Sequence, residues 1–297
     1  MAAETNTIMQ SDLARARVID FNLQFTGSIT KLIEALGVTR KIAVQEGAVL
    51  KMLKVTGTLA SGEVAEGELI PLSKYKTTET PVGEVKLDKW RKATTAEAIL
   101  KGGYDQAVSS TTEQMVKDIQ KTIRTKLFTF MATGTGTATG VGLQAALANA
   151  WGKLSVLFED DAVETVCFLN PMDISDYLGT AQVTMQTAFG MTYIENFLGL
   201  GTVFLNSNVP QGKFYATAKN NIVTYYINVG TSEIARAFDL TTDETGYIGI
   251  NEYPEKDTAR VIDLVMSGVT FFPERQDGIV VGTITKASAA VETSSKG

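Results

Sequence analysis

The chain has 297 residues, of which 44% are hydrophobic, and a formal net charge of −6. That is enough apolar material for a large core, so disorder over most of the length is excluded, and the acidic balance argues against a dedicated nucleic-acid binder of the basic kind. No histidine and a single cysteine are present, which removes the commonest general base, a disulfide framework and a Cys-rich zinc site.

The first twenty residues lack the basic-then-apolar order of a signal peptide, and no apolar run approaches the roughly 20 residues that span a bilayer. Synthesis in a reducing cytoplasm, without export, is expected. Residues 1–28 are polar, with scattered Leu13, Val18, Phe21, Leu23 and Phe25. They read as an irregular arm that packs on something else, with Phe21 and Phe25 as candidate contacts to another subunit. Residues 28–37 read as a short helix, capped by Ser28, with Ile29, Leu32, Ile33 and Leu36 on its apolar face and Gly37 as its stop.

From Val38 to about Val55 the spacing of Ile42, Val44, Val49 and Met52 predicts strand. Residues 57–90 are rich in Gly, Thr, Glu and Lys and predict a long two-stranded excursion, polar on both sides. A hairpin of that kind is not stable alone in water and needs a neighbour. A basic run follows, Lys86, Lys89, Arg91 and Lys92 around Trp90. It reads as a subunit-contact strip or as a solvated strand face.

The stretch from Tyr104 to Met131 predicts the longest helix, with Met115, Ile119, Ile123, Leu127 and Phe130 recurring on one side. Ser110 and Glu113 have capping-box spacing. The following TGTGTATG lacks both the P-loop ending and the G-x-G-x-x-G spacing, and reads as a linker or turn. A short alanine-rich helix over 142–151, a strand at about 163–169 and a helix opened by Asn170-Pro171 come next. Glu159, Asp160, Asp161, Glu164, Asp173 and Asp176 form an acidic neighbourhood without calcium-loop spacing, read as a solvated face. Cys167 reads as a buried structural thiol. From Thr202 the chain alternates as strands, the EIARAFDL segment included, with turns at Pro210–Gly212 and Asn220–Asn221. Residues 258–285 predict two long strands joined at Asp277-Gly278, and the small polar tail predicts disorder.

In this order the chain resembles the major capsid proteins of tailed bacteriophages, the Hong Kong 97-type fold. EGELIPLSKYKTTETPVGEVKLDKWRKATTAEAIL is similar to that family's extended loop and return strand, and TTEQMVKDIQKTIRTKLFTFMATGTG to its spine helix with a glycine-rich exit. VETVCFLNPMDISDYLG is similar to the strand-then-helix of its axial domain, and TARVIDLVMSGVTFFPERQDGIVVGTI to its closing strands. The resemblance implies an α+β fold. Its parts are an N-terminal arm (1–45), an extended β-hairpin loop (46–95), a peripheral domain with a long spine helix and antiparallel strands (96–135), a mixed α/β axial domain (136–245), return strands (246–287) and a flexible tail (288–297).

It further implies hexamers and pentamers closing an icosahedral phage head around double-stranded DNA, without enzymatic activity or cofactor. The virion is then its location, after synthesis in the host bacterial cytoplasm. With the spine helix reached by about residue 104, no long scaffolding segment precedes it, so a separate scaffolding protein and a portal are the expected partners, with no membrane. Glu68, Lys74, Lys76, Glu79, Lys89, Trp90 and Arg91 are the further inter-subunit candidates. Lys117, Lys121, Arg124 and Lys126 are candidates to face DNA by weak non-specific contact. Lys74 and Lys76 lie where some members crosslink, but no acidic partner for that chemistry is identifiable. Competing readings are an encapsulin-like compartment shell, a tail-tube or other virion component, and a hydrolase using the carboxylates near Glu159.

Overall fold

A computed structural model describes residues 10–38, 40–158, 164–178, 184–230 and 233–285. In order the elements are α1 (Gln10–Leu36), β1 (Lys41–Ala43), β2 (Val49–Thr58), β3 (Lys74–Glu84), β4 (Asp88–Thr95), α2 (Ala96–Gly102), a π turn (Asp105–Ser109) and α3 (Ser110–Met131). There follow β5 (Gly136–Val141), α4 (Leu143–Leu157), β6 (Thr165–Leu169), α5 (Pro171–Leu178), β7 (Gln186–Ala188), β8 (Met191–Phe197), β9 (Gly201–Leu205) and β10 (Lys213–Ala218). The last are β11 (Ile222–Tyr226), α6 (Glu233–Ala237), β12 (Thr241–Thr242), β13 (Ile248–Glu255), β14 (Arg260–Ser267), β15 (Thr270–Pro273) and β16 (Ile279–Thr285).

These elements divide between two compact units. The first comprises Met1–Leu127, Ala188–Gly190 and Ile222–Gln276; the second comprises Phe128–Thr187, Met191–Asn221 and Asp277–Gly297. Residues 222–245, expected with the axial block, therefore group with the first unit, and 277–285, expected among the return strands, with the second.

In the first unit, α1 packs on β12 and β13. It is one continuous helix where the sequence reading has an irregular arm followed by a short helix from Ser28. Asn22, Thr26 and Gly27 are poor helix formers, and burial of Phe21, Phe25, Ile29, Leu32, Ile33 and Leu36 overrides them. Gly37 does end it. Its N–H bonds Glu34 O at 2.9 Å, Val38 N–H bonds Ile33 O at 3.0 Å, and φ of Gly37 is 65°, which together make a Schellman motif. The sheet beneath is antiparallel throughout, in the order β12-β13-β14-β4. Strand β4 belongs to this sheet and not to the hairpin. β11 pairs with β1 in parallel and with β15 antiparallel in a small separate sheet. EIARAFDL holds the helical turn of α6 and not a strand.

α3 buries Val116, Ile119 and Ile123 and leaves the first unit after Leu127. Its apolar stripe is as the spacing predicts at Ile119, Ile123 and Leu127, but its start is not. Ser110 Oγ donates to Gln106 O at 2.5 Å instead of capping, because the helix already continues from the π turn.

The second unit is built on a seven-stranded mixed sheet, β5-β16-β10-β6-β9-β8-β7. Cys167, Leu169, Phe214, Ala216 and Val203 of that sheet pack with Ala146, Leu147, Ala150 and Leu154 of α4 into one core. Asn170 opens α5 as expected: its Oδ1 accepts the Met172 N–H at 3.0 Å, with Pro171 in the first helical position. The glycine-rich TGTGTATG is not a linker. It supplies β5, parallel to β16. Its glycines are there because backbones approach closely: a Cβ on Gly140 would lie 2.3 Å from the amide nitrogen of Ala146 on α4. Gly140→Ala is expected to destabilise by ~2–3 kcal/mol through overpacking, measurable as a lowered urea midpoint. β14, β15 and β16 replace the expected two-strand closure, and Asp277-Gly278 joins strands that pair with different partners. Residues 1–9, Glu159, Asp160, Asp161 and the tail 288–297 lie outside the described residues.

Candidate functional site

The feature that stands out from the cores is the hairpin of β2 and β3. It is antiparallel from Val49↔Glu84 to Thr58↔Lys74, with a register shift at Leu50/Lys51. Its base is anchored. Leu50, Met52 and Val85 are buried, Leu53 N–H bonds Glu274 O at 2.9 Å, and Gly47 N–H bonds Val85 O at 3.0 Å. Beyond Leu53 every residue of β2 is exposed. The tip carries Leu59, Leu69, Ile70 and Leu72, which are 75%, 95%, 75% and 96% exposed. Local bonds shape it: Ala60 N–H to Ser73 Oγ at 3.0 Å and Glu68 N–H to Ala65 O at 3.1 Å. β2 begins at Val49, within the stretch whose spacing predicts strand, and runs on into the predicted excursion, where exposure on both faces beyond Leu53 matches the polar character on both sides expected from the sequence.

Of the nominated residues, Glu68, Lys74 and Lys76 are exposed on the hairpin. Glu79 pairs with Lys51 at 2.6 Å, half exposed on both sides, a contact of little energetic weight. Lys89 and Arg91 point outward from β4, and Trp90 is half-buried. Phe21 and Phe25 are buried, Phe25 edge-on to Phe189 at 5.7 Å, so they have no surface to offer another subunit. Sequence reasoning picked the charged residues near the tip and missed Leu69, Ile70 and Leu72. The available signal was three apolar residues within four positions of an otherwise polar stretch.

On α3, Lys117 and Lys121 are exposed. Arg124 and Lys126 are occupied within their own unit. Lys126 Nζ donates to an Asp88 carboxylate oxygen. Arg124 donates to Phe189 O and lies 5.9 Å from the centre of that ring, and burial holds its guanidinium below the ordinary value, though still charged. It thereby clamps the Phe189–Gly190 turn, whose residues have φ of 49° and 68°.

Among the described residues of the second unit, two clefts stand out. One, of 580 Å³, lies between β5 and α4, where Lys153 donates to Thr137 O and Asn149 Nδ2 to Thr139 O at 2.8 Å. The other, of 840 Å³, is lined by Val141, Leu143, Met172, Tyr177 and Ile284, and its Asp173 accepts the Gly212 N–H at 2.8 Å. The charged groups in both are thus engaged with backbone. Glu164 of the acidic neighbourhood pairs with Lys219. Among the described residues, no three His, Cys, Asp or Glu side chains are grouped to hold a metal ion, and no helix is long and apolar enough to cross a membrane.

Cys167 is buried, and burial pushes its thiol up to about 12. Tyr225 is pushed up to about 12 as well, first by burial and then by Glu274, which accepts its hydroxyl at 3.0 Å. Both groups ionise more easily in the unfolded chain, from about 8.5 for a thiol and about 10 for a phenol. Their contribution is whole below those values and is lost as pH rises towards 12. Stability is therefore expected to hold to about pH 8 and to decline above it in a pH series of urea melts. A thiol reagent at pH 8 should react with Cys167 only on unfolding.

No family model matches the sequence, and no curated protein is similar to it. Solved structures are similar in fold. The capsid structure of cyanophage P-SCSP1u aligns with a TM-score of 0.50 at 11% identity, over 86% of this chain and 88% of that one. A chain of Gordonia phage Cozz aligns with a TM-score of 0.50 at 11% identity, over 86% of both chains. The holo-SrpI encapsulin complex of Synechococcus elongatus PCC 7942 aligns with a TM-score of 0.47 at 12% identity, over 96% of this chain and 92% of that one. The α1 helix, the anchored hairpin, the long α3 and the two units thus form the Hong Kong 97-type fold of tailed-phage major capsid proteins. It is a capsid-like shell fold.

Proposed function

We propose that this chain is the major capsid protein of a tailed bacteriophage, a structural and non-enzymatic subunit. It forms hexamers and pentamers that close into an icosahedral head around double-stranded DNA. The observation that carries the reading is the hairpin tip, where Leu59, Leu69, Ile70 and Leu72 stand almost fully in solvent. A two-stranded ribbon ending in apolar residues gains its burial from a neighbour, and a head-to-tail contact of that kind closes rings. Made in the bacterial cytoplasm, the subunit ends in the virion, with a separate scaffolding protein and a portal as partners.

Electron microscopy of the purified chain, with light scattering for mass, tests this. Closed polyhedra or rings of five and six are expected, directly or on adding a scaffolding partner. A monomer that stays monomeric at high concentration with that partner present would refute the proposal. Protein cargo in place of nuclease-protected DNA would instead make it a compartment shell.

Lys117 and Lys121 are the lining charges in this reading, since Arg124 and Lys126 are already engaged. Replacing both with alanine is expected to weaken non-specific DNA binding uniformly across sequences. The slope of log affinity against log salt should fall by about 2, at ~0.9 per lost phosphate contact. Titration of labelled duplex DNA at several salt concentrations measures it.

A further inference from the structure

The head of α3 is held by an arrangement in which buried Val108 supplies packing and a set of polar contacts adds to it. The π turn of Asp105–Ser109 is closed by the Ser110 N–H bonding Asp105 O, five residues back. A π turn holds one residue more than an α turn; it is rare, and often found at functional sites. Three successive hydroxyls cover its displaced carbonyls: Ser110 Oγ to Gln106 O at 2.5 Å, Thr111 Oγ1 to Ala107 O at 2.8 Å, and Thr112 Oγ1 to Val108 O at 2.8 Å. Such back-bonding competes with the regular helical ladder. From β4, Lys92 Nζ reaches Val108 O at 2.9 Å and Thr111 Oγ1 and Thr112 Oγ1 at 2.7 Å each. Its charge is met by Asp263 of β14 at 2.7 Å, with the carboxylate 2% exposed.

We infer that Lys92 and Asp263 form a latch that holds the π turn open, and that releasing it converts the turn to α-helix and swings α2. Conversion shifts the register by one residue, about 100° of rotation and 1.5 Å of rise. α3 does not absorb it, because Val116, Ile119 and Ile123 fix that helix in the core. The shift falls on the N-terminal side, where it also releases the bond that the Tyr104 hydroxyl donates to Glu252. There α2 buries no residue and is joined to the π turn through Gly102 and Gly103, the latter at φ 78°. Its far end is tethered, with Thr95 Oγ1 accepting the Ala98 N–H at 3.3 Å and Ala96 N–H bonding Ala259 O at 3.0 Å. α2 therefore pivots about Thr95 and redirects Leu100, which is 87% exposed. One sequence then presents Leu100 in two directions, which a shell with unlike neighbours would use; the inference itself does not depend on the shell.

Spin labels at Glu97→Cys and Lys117→Cys, in a Cys167→Ala background, report the α2–α3 distance by electron paramagnetic resonance. The otherwise unaltered chain should give one distance, Lys92→Met that distance plus a second, and deletion of Ala107 the second alone. Identical distributions in all three would overturn the latch. If both variants misfold, hydrogen exchange on the unaltered chain decides. Amides 106–112 should exchange at least tenfold faster than those of Ile119–Leu127, and equal protection would overturn it.

Discussion

Leu69→Ser, Ile70→Ser and Leu72→Ser combined are expected to abolish assembly and to leave the folded chain as stable as before. These side chains are between 75% and 96% exposed, so their removal costs the isolated chain almost nothing. Against a neighbour the balance reverses. Full burial of each is worth roughly 1.5–3 kcal/mol, or about 4.5–9 kcal/mol for three. At 1.4 kcal/mol per tenfold, that is roughly three to six decades in each subunit contact, and every contact in a ring carries the same loss. Sedimentation velocity should show particles replaced by the slow species, with an unchanged urea midpoint. Particles in normal yield would remove the tip from the interface. A lowered midpoint would mean that the tip packs on its own chain. The charged neighbours Lys51 and Glu79 make a useful contrast, because an exposed pair contributes under about 1 kcal/mol and their replacement should leave assembly nearly intact.

The legible parts of the chain are those where a local pattern meets a local cause. Ile119, Ile123 and Leu127 announce α3 by spacing, Gly37 ends α1 with its own backbone, and Asn170-Pro171 starts α5 by capping. Elsewhere the cause is remote. α1 contains Asn22, Thr26 and Gly27, and its helicity comes from β12 and β13, over two hundred positions away, where Asn22 Nδ2 donates to Thr241 O at 2.6 Å. The glycines of β5 look like punctuation, yet they are spacing between two backbones. Alternation in 258–285 correctly predicts strand but cannot say that β14, β15 and β16 join three different sheets. The candidate site was half visible. A long polar excursion could be read from composition, whereas the apolar cluster within it gains its meaning once Leu69 and Leu72 are seen to stand almost fully in solvent. The engagement of Arg124 with Phe189 has no sequence signal, because the turn it clamps is 65 residues away.

Lys92→Ala is expected to cost the first unit about 3–5 kcal/mol, because it strands the Asp263 carboxylate in a site where it is 2% exposed. The loss includes the Val108 carbonyl and two threonine hydroxyls, which surrender an ammonium donor together. Asp263→Ala should cost a similar amount, since it strands the cation instead. The double variant Lys92→Met/Asp263→Leu should cost less than either single change, because no charge is left buried and the two replacements fill the volume. The chain's tryptophans make this measurable unit by unit. Trp90 sits on β4 beside Lys92, and Trp151 is in the second unit. Trp151 is 41% exposed, so Trp151→Phe is mild and leaves Trp90 fluorescence as the reporter of the first unit. A urea titration in that background should show a lower midpoint for each single variant and partial recovery in the double. Single variants within about 1 kcal/mol of the parent would place the pair in the class of solvent-screened surface contacts. Recovery in the double variant would separate the cost of a stranded charge from the cost of lost packing, because only the first disappears when both partners leave.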